Sequence, residues 1–452
     1  MNTPKQQIVT EDQLAKMRAS YADAATQHVA QRAVTKNGIL ASAEDMDLVK
    51  NLSPANFAFS TDVDYEAVAN QLQSGRCWMF ACLNTLRWHI EKDLNLPHGT
   101  FELSQAYLTF FNKLERAAWF LEHIIQTADR DLNDREVFWL LSAPMADGGD
   151  WDMICGLVKK YGVVPHPAMA ETYCTNNTAE LNTVLSHLLA QDAITLRQMV
   201  SENKDTTETF DKMMDEVYRI LATCIGEPPK TFDFQYVDKD NKYHADFGLT
   251  PLQFLEKYVP INLDDYIGVV NVPGPDRPYY QMYAIADSNQ IPNRENLYLN
   301  VPMEDLKALA VAQLKAGEPV WFACDVLQHC DRWAGVMDMK LYDLEAMFDI
   351  KWTMDKTTRF DMRESLPTHA MVLAGFDEHN GKISKWKIEN SWGTENQGKK
   401  TGNNGYFVCG DEWFDNFVYE VAIRKDLFND KQKAALDTEP ITWPFWTSFN
   451  PV

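Results

Sequence analysis

Apolar positions along the chain change their spacing from helical to strand-like, and the change falls late. Thr10 and Gln13 form a capping box ahead of Leu14, Met17, Tyr21 and Ala25, which recur at helical spacing and predict a helix within the first forty residues. From Phe57 to about Val200 the pattern stays mainly helical, with an amphipathic helix beginning at Cys77 whose Met79, Leu83, Leu86 and Ile90 share one face. The stretch from Ser201 to Tyr243 is polar and charge-rich, contains Glu227-Pro228-Pro229 and Asp238-Lys239-Asp240-Asn241-Lys242, and predicts a surface helix followed by a hairpin or loop. Beyond His369 the spacing predicts strands over 370–376, 383–388 and 406–408, separated by His379-Asn380-Gly381 and Asn403-Asn404-Gly405. A helical half thus precedes a sheet half, an α+β chain without internal repeats. The expected divisions are an N-terminal helical arm at 1–56, a helical part at 57–200, an insertion and connecting region at 201–360, a sheet part at 361–425 and a tail at 426–452.

Composition narrows what such a chain does. Its 452 residues suffice for two or three average domains, or for one enzyme core with a large insertion. A net charge of -23 opposes nucleic acid and anionic membrane surfaces, because affinity for phosphates comes mainly from Lys and Arg. Nowhere do 18 apolar residues run together, so no bilayer-spanning helix is expected. The first residues show no apolar core for secretion, and the eight cysteines lack close pairing. Free thiols in a reducing cytoplasm are the expectation. Cys324, His329 and Cys330 are close in sequence, yet their spacing fits no structural zinc site; neither metal nor cofactor is expected.

Three segments carry candidate chemistry. In Gln71-Leu72-Gln73-Ser74-Gly75-Arg76-Cys77-Trp78, a cysteine in the first turn of a helix has its thiolate stabilised by free amides and the positive end of the helix dipole. Gly75 suits a sharp turn into that helix, and Gln71 with the Cys77 amide are candidate donors to an oxyanion. In Leu366-Pro367-Thr368-His369-Ala370-Met371 a histidine leads directly into an apolar strand, a candidate base for the thiol. In Lys385-Trp386-Lys387-Ile388-Glu389-Asn390-Ser391-Trp392 strand alternation places Trp386, Ile388 and Asn390 on one face and the charged residues on the other. There Asn390 can accept the imidazole N–H, and Trp392 can keep water from that bond.

The order Gln, Cys, His, Asn, with Gln71 six residues before Cys77, resembles the papain-like cysteine peptidases. The nearer resemblance is to the bleomycin hydrolase and bacterial aminopeptidase C branch, carried by Gly75-Arg76-Cys77-Trp78, Phe101-Glu102-Leu103-Ser104-Gln105, Asp147-Gly148-Gly149, Trp151-Asp152-Met153, Tyr161-Gly162-Val163-Val164-Pro165 and Glu171-Thr172. The resemblance implies a two-lobe fold, a helical lobe against a barrel-like sheet lobe, with a large insertion and a C-terminal tail in the cleft. It also implies a thiolate-imidazolium peptidase in which Cys77, His369, Asn390 and Gln71 are catalytic and Trp392 and Trp78 supporting. Gly148 and Gly149 would bind the peptide backbone, and the Val452 carboxylate would hold a substrate's free ammonium group, making an aminopeptidase that assembles as a homohexamer. The tail Pro444-Phe445-Trp446-Thr447-Ser448-Phe449-Asn450-Pro451-Val452 is bulkier than the small, Gly- and Ala-containing tail of that branch, which leaves an endopeptidase or oligopeptidase open; a third reading is an inactive papain-like binding protein. Asp150 stands where glutamine is commoner, either as a solvated acid or as a carboxylate that favours a cationic substrate group.

Overall fold

The computed structural model describes residues 9–52, 56–63, 68–286, 291, 294–396, 398–444, 446, 447 and 449. Helix α1 (Glu11–Ala22) begins at the capping box, in which the Gln13 amide donates to Thr10 Oγ1 at 3.2 Å and the Thr10 amide donates to Gln13 Oε1 at 2.8 Å. The chain breaks at Asp23 and resumes as α2 (Ala25–Asn37). Neither helix buries a residue, so the apolar positions Leu14, Met17 and Tyr21 lie at the surface.

The helices that follow include α3 (Cys77–Asp93), α4 (Gln105–Gln126), α5 (Trp151–Tyr161), α6 (Thr178–Ser201) and α7 (Thr207–Ile225). Helix α3 is not one-sided, as its spacing suggests; even Asn84, Arg87 and Glu91 are buried. The reason is its place between α4 and α5 on one side and the sheet on the other, which leaves no face for water. Helix α7 buries Met213, Val217, Leu221 and Ile225 along one face, then gives way to a hairpin of β2 (Phe232–Val237) and β3 (Tyr243–Leu249), preceded in the chain by β1 (Thr61–Asp62).

The sheet begins well before the expected change at His369. Strands β4 (Tyr266–Val270), β5 (Gln281–Ile285), β6 (Leu297–Asn300), β7 (Val320–Cys324), β8 (Cys330–Asp331) and β9 (Val336–Met337) all fall within the 201–360 segment. They join β10 (His369–His379), β11 (Lys382–Glu389), β12 (Tyr406–Gly410), β13 (Val418–Arg424) and β14 (Ile441–Trp443) in one sheet. Its order is β14-β5-β6-β4-β13-β7-β10-β11-β12-β9-β8, with β1 added against β10. Within the 201–360 segment, β4 and β7 stand in the middle part of the sheet. Every residue of β4 and β7 is buried, so each reads as a short continuous apolar run that periodicity cannot distinguish from a helix fragment.

Buried apolar residues gather into two main clusters, one among the helices and one around the sheet. Trp321, Ala323, Ala370 and Val372 face from β7 and β10 into the helical cluster, so the first residues of β10 meet α3 at the seam. The tail packs on a third, smaller cluster: Trp443 stacks on Tyr283 of β5 with centroids 4.4 Å apart, and Phe449 meets Tyr298 of β6 edge-on at 5.0 Å. These tail aromatics are thus covered within the chain itself. No helix among the described residues is long and apolar enough to cross a membrane.

Candidate active site

Cys77 is the first residue of α3, and no side chain caps that helix. Burial pushes the thiol up, and the backbone amides of Ala370 at the start of β10 and of Trp78 and Cys77 in the first turn of α3 offset only part of that rise, to which the Asp147 carboxylate adds. The segment leading into α3 is anchored by Arg76, buried and ion-paired with both Glu171 oxygens at 3.2 and 2.8 Å, with Nε donating to Ser74 Oγ at 3.0 Å. Gly75 does not have the left-handed conformation a sharp turn would need; it is required because a Cβ there would stand 2.8 Å from the Asp147 Cβ.

His369, the first residue of β10, is buried, and its Nε2 lies 2.9 Å from Asn390 Oδ1. That bond leaves Nδ1 as the nitrogen for proton exchange with a partner. Burial holds the imidazole down at about 4, and the Asn390 bond works against that shift. Asn390 follows the end of β11 and is fully buried; its Oδ1 also accepts the Ser391 amide at 2.8 Å, which fixes the side chain. The Trp392 ring lies 5.0 Å from the His369 ring, tilted across it.

Gln71 reaches this group through the backbone. Its amide donates to the Ser391 carbonyl at 2.8 Å, and Ser391 Oγ donates to Gln71 Oε1 at 2.6 Å. The carboxamide is thereby oriented with Nε2 on the opposite side, where it donates to the Ser74 carbonyl at 2.5 Å and has a second proton to give. The other face of β11 carries the charged residues, and it too is covered. Glu389 and Lys387 are buried rather than solvated, because α3 and β1 cover them: Glu389 accepts from Asn84 at 2.8 Å and Arg87 at 3.2 Å, and Lys387 pairs with Asp62 at 2.6 Å.

Cys77 and His369 line one cavity of about 610 Å³, with Trp78, Gly148, Gly149 and the tail residues Trp446, Thr447 and Phe449. Trp78 holds the glycine loop, since its Nε1 donates to the Asp147 carbonyl at 2.8 Å; a Cβ on Gly149 would come within 2.5 Å of its ring. Asp147 is held by Lys113 at 2.6 Å, Thr178 at 2.5 Å and the Gly75 amide at 2.8 Å. Burial pushes its carboxyl up, but Lys113 and these donors hold it well below the usual range. Asp150 is not the solvated acid one reading allowed: it is buried, and its Oδ1 caps α5 by accepting the Met153 amide at 2.8 Å. Val452 lies outside the described residues.

A thiol at a positive helix end, an imidazole oriented by an amide oxygen and a concave apolar cleft form the constellation for acyl transfer through a sulfur nucleophile. Sequence reasoning missed Lys113, Glu389 and Glu420, whose roles depend on burial. The signal for Glu420 is a lone carboxylate inside the apolar run Val418-Tyr419-Glu420-Val421-Ala422-Ile423.

Comparison with known proteins agrees with this geometry. The chain is 44% identical over 437 residues to an aminopeptidase C of Streptococcus thermophilus, covering 95% of this chain and 96% of that one. An aminopeptidase C of Listeria innocua is 42% identical over 439 residues, covering 97% of each. The crystal structure of PepW from Lactobacillus rhamnosis HN001 superposes with a TM-score of 0.94 at 42% identity and covers 99% of both chains. With the family model matching residues 8–450, nearly its whole length, the chain belongs to the Peptidase C1-like family.

Proposed function

We propose that this chain hydrolyses peptide bonds through an acyl-enzyme on Cys77 and acts as an aminopeptidase. The observation that carries the reading is the shared cavity of Cys77 and His369, with His369 Nε2 held by Asn390 at 2.9 Å. His369 Nδ1 takes the Sγ proton, and the thiolate attacks the scissile carbonyl carbon. The Cys77 amide and Gln71 Nε2 donate to the oxyanion, His369 returns the proton to the leaving amine, and the C–N bond breaks. His369 then removes a proton from water, which attacks the thioester carbon; collapse of the second tetrahedral intermediate releases the acid, and the sulfur regains a proton from His369.

Both curated relatives named above are aminopeptidases, which supports the exopeptidase mode. In this reading Gly148 and Gly149 bind the peptide backbone, and the Val452 carboxylate pairs with the substrate's ammonium group. The protein works in the cytoplasm as a homohexamer, whose contacts cover the exposed apolar positions of α1 and α2. Comparing a free-amine peptide with its N-acetylated twin tests the mode. Loss of cleavage on acetylation is expected; equal cleavage of both rejects the terminal anchor and favours the endopeptidase that the bulky tail sequence suggests.

A further inference from the structure

Four acidic side chains stand in or beside the cleft wall, and they divide by partner. Asp147 has Lys113 at 2.6 Å, and Asp152 has Arg294 at 2.7 Å. Asp150 and Glu420, which both line the cavity shared by Cys77 and His369, have no cation among the described residues. Asp150 Oδ2 accepts only from neutral groups, Asn296 Nδ2 at 2.5 Å and the Tyr298 hydroxyl at 3.3 Å. Glu420 is 2% exposed, and its Oε1 is buried without any hydrogen-bond partner.

A charged side chain in the middle of a buried sheet is costly unless something compensates it. Glu420 sits on β13 opposite Ala323 of β7 and close to Gly268 of β4, where a Cβ would stand 2.8 Å from its free oxygen. Small neighbours therefore make room for the carboxyl itself, which fills the space beside Gly268. The same cavity has aromatic and aliphatic walls, including Trp78, Trp321, Leu366 and Phe449. Among its described lining residues the one lysine or arginine is Arg363, which is exposed and donates through Nη2 to the Trp446 carbonyl at 2.9 Å.

We infer that Glu420 and Asp150 form a specificity site for the side chain of a lysine or arginine on the acyl side of the scissile bond. For an aminopeptidase this is the substrate's N-terminal residue, and the inference rests on the reading of Cys77 as the nucleophile. The methylene stem lies along the apolar walls, and the cationic head reaches the free Glu420 oxygen. Burial pushes both carboxyls up, Asp150 to about 7, and neighbouring carboxylates raise each further; an arriving cation favours their ionised forms.

The test measures equilibrium binding, so that it does not depend on turnover. The full-length Cys77→Ala protein is titrated calorimetrically with a free-amine arginyl peptide and with its citrullinyl twin, which keeps the shape and loses the charge. The arginyl peptide is expected to bind at least about tenfold more tightly, the worth of a charge-assisted hydrogen bond. Adding Glu420→Gln brings the ratio of the two Kd values towards one, and Asp150→Asn reduces it in part. Equal binding by the Cys77→Ala protein overturns the proposal whatever the further variants do, as does a ratio that survives Glu420→Gln. Turnover of a neutral peptide by the unaltered chain reports separately on the peptidase reading.

Discussion

At the scale of single residues, the site depends on how Asn390 and burial set the state of His369. The 2.9 Å bond to Asn390 selects the nitrogen that faces the thiol, so Asn390→Ala should lower kcat by about tenfold to a hundredfold with little change in KM. Steady-state kinetics on one peptide checks this, and an unchanged kcat removes Asn390 from the mechanism. Burial holds His369 at about 4, below the ordinary histidine value near about 6.5. The unfolded chain then binds more protons between those values, so stability is complete above the window and falls as pH drops through it, by about 3 kcal/mol in all. In Cys77→Ala protein, where no thiolate competes for the proton, NMR should show His369 titrating near 4; a midpoint near the ordinary value contradicts the assigned environment. Cys77, His369 and Asn390 were legible because their residue types and local pattern name their chemistry. Glu420 and Asp150 were not, because sequence does not tell a solvated carboxylate from one sealed in a cleft wall.

At the scale of elements, the approach to α3 is braced by two buried ion pairs, Arg76 with Glu171 and Lys113 with Asp147. The second pair also ties Gly75, Thr178 and the glycine loop together. Lys113→Met strands the Asp147 carboxylate and should cost about 3–5 kcal/mol of stability in denaturant unfolding. Adding Asp147→Asn should recover much of that loss, whereas equal stability of Lys113→Met and the parent protein denies the brace. Gly149→Ala pushes a methyl group against the Trp78 ring and should lower kcat/KM by about tenfold or more through a displaced cleft wall. Parent-like kinetics in that variant mean the loop yields without consequence. The helices were readable from spacing and the hairpin turns from residue type: Asn380 and Gly381 both have positive φ, as a tight two-residue turn requires. The middle strands were obscured because burial on both faces erases their alternation.

At the scale of the whole molecule, two cores meet along α3 and β10, and the tail closes over that seam. The tail aromatics Trp443 and Phe449 are covered within the chain, by Tyr283 and Tyr298. Apolar positions left in water include several on the N-terminal arm, where Met17 is 57% and Val29 69% exposed. Native mass spectrometry should find a sixfold multiple of 51.8 kDa, reduced when Met17 and Val29 are both replaced by glutamate. A single-chain mass for the unaltered protein contradicts the assembly. The sequence pattern located the arm helix but gave no sign that α1, among the described residues, buries none of its side chains.

Peptide hydrolysis by this chain depends most directly on the Cys77 sulfur. Hydrolysis of a free-amine peptide by Cys77→Ala protein, with circular dichroism to verify the fold, should fall by at least about a thousandfold. Folded Cys77→Ala protein that cleaves the peptide at the parent rate would show that another group carries the reaction.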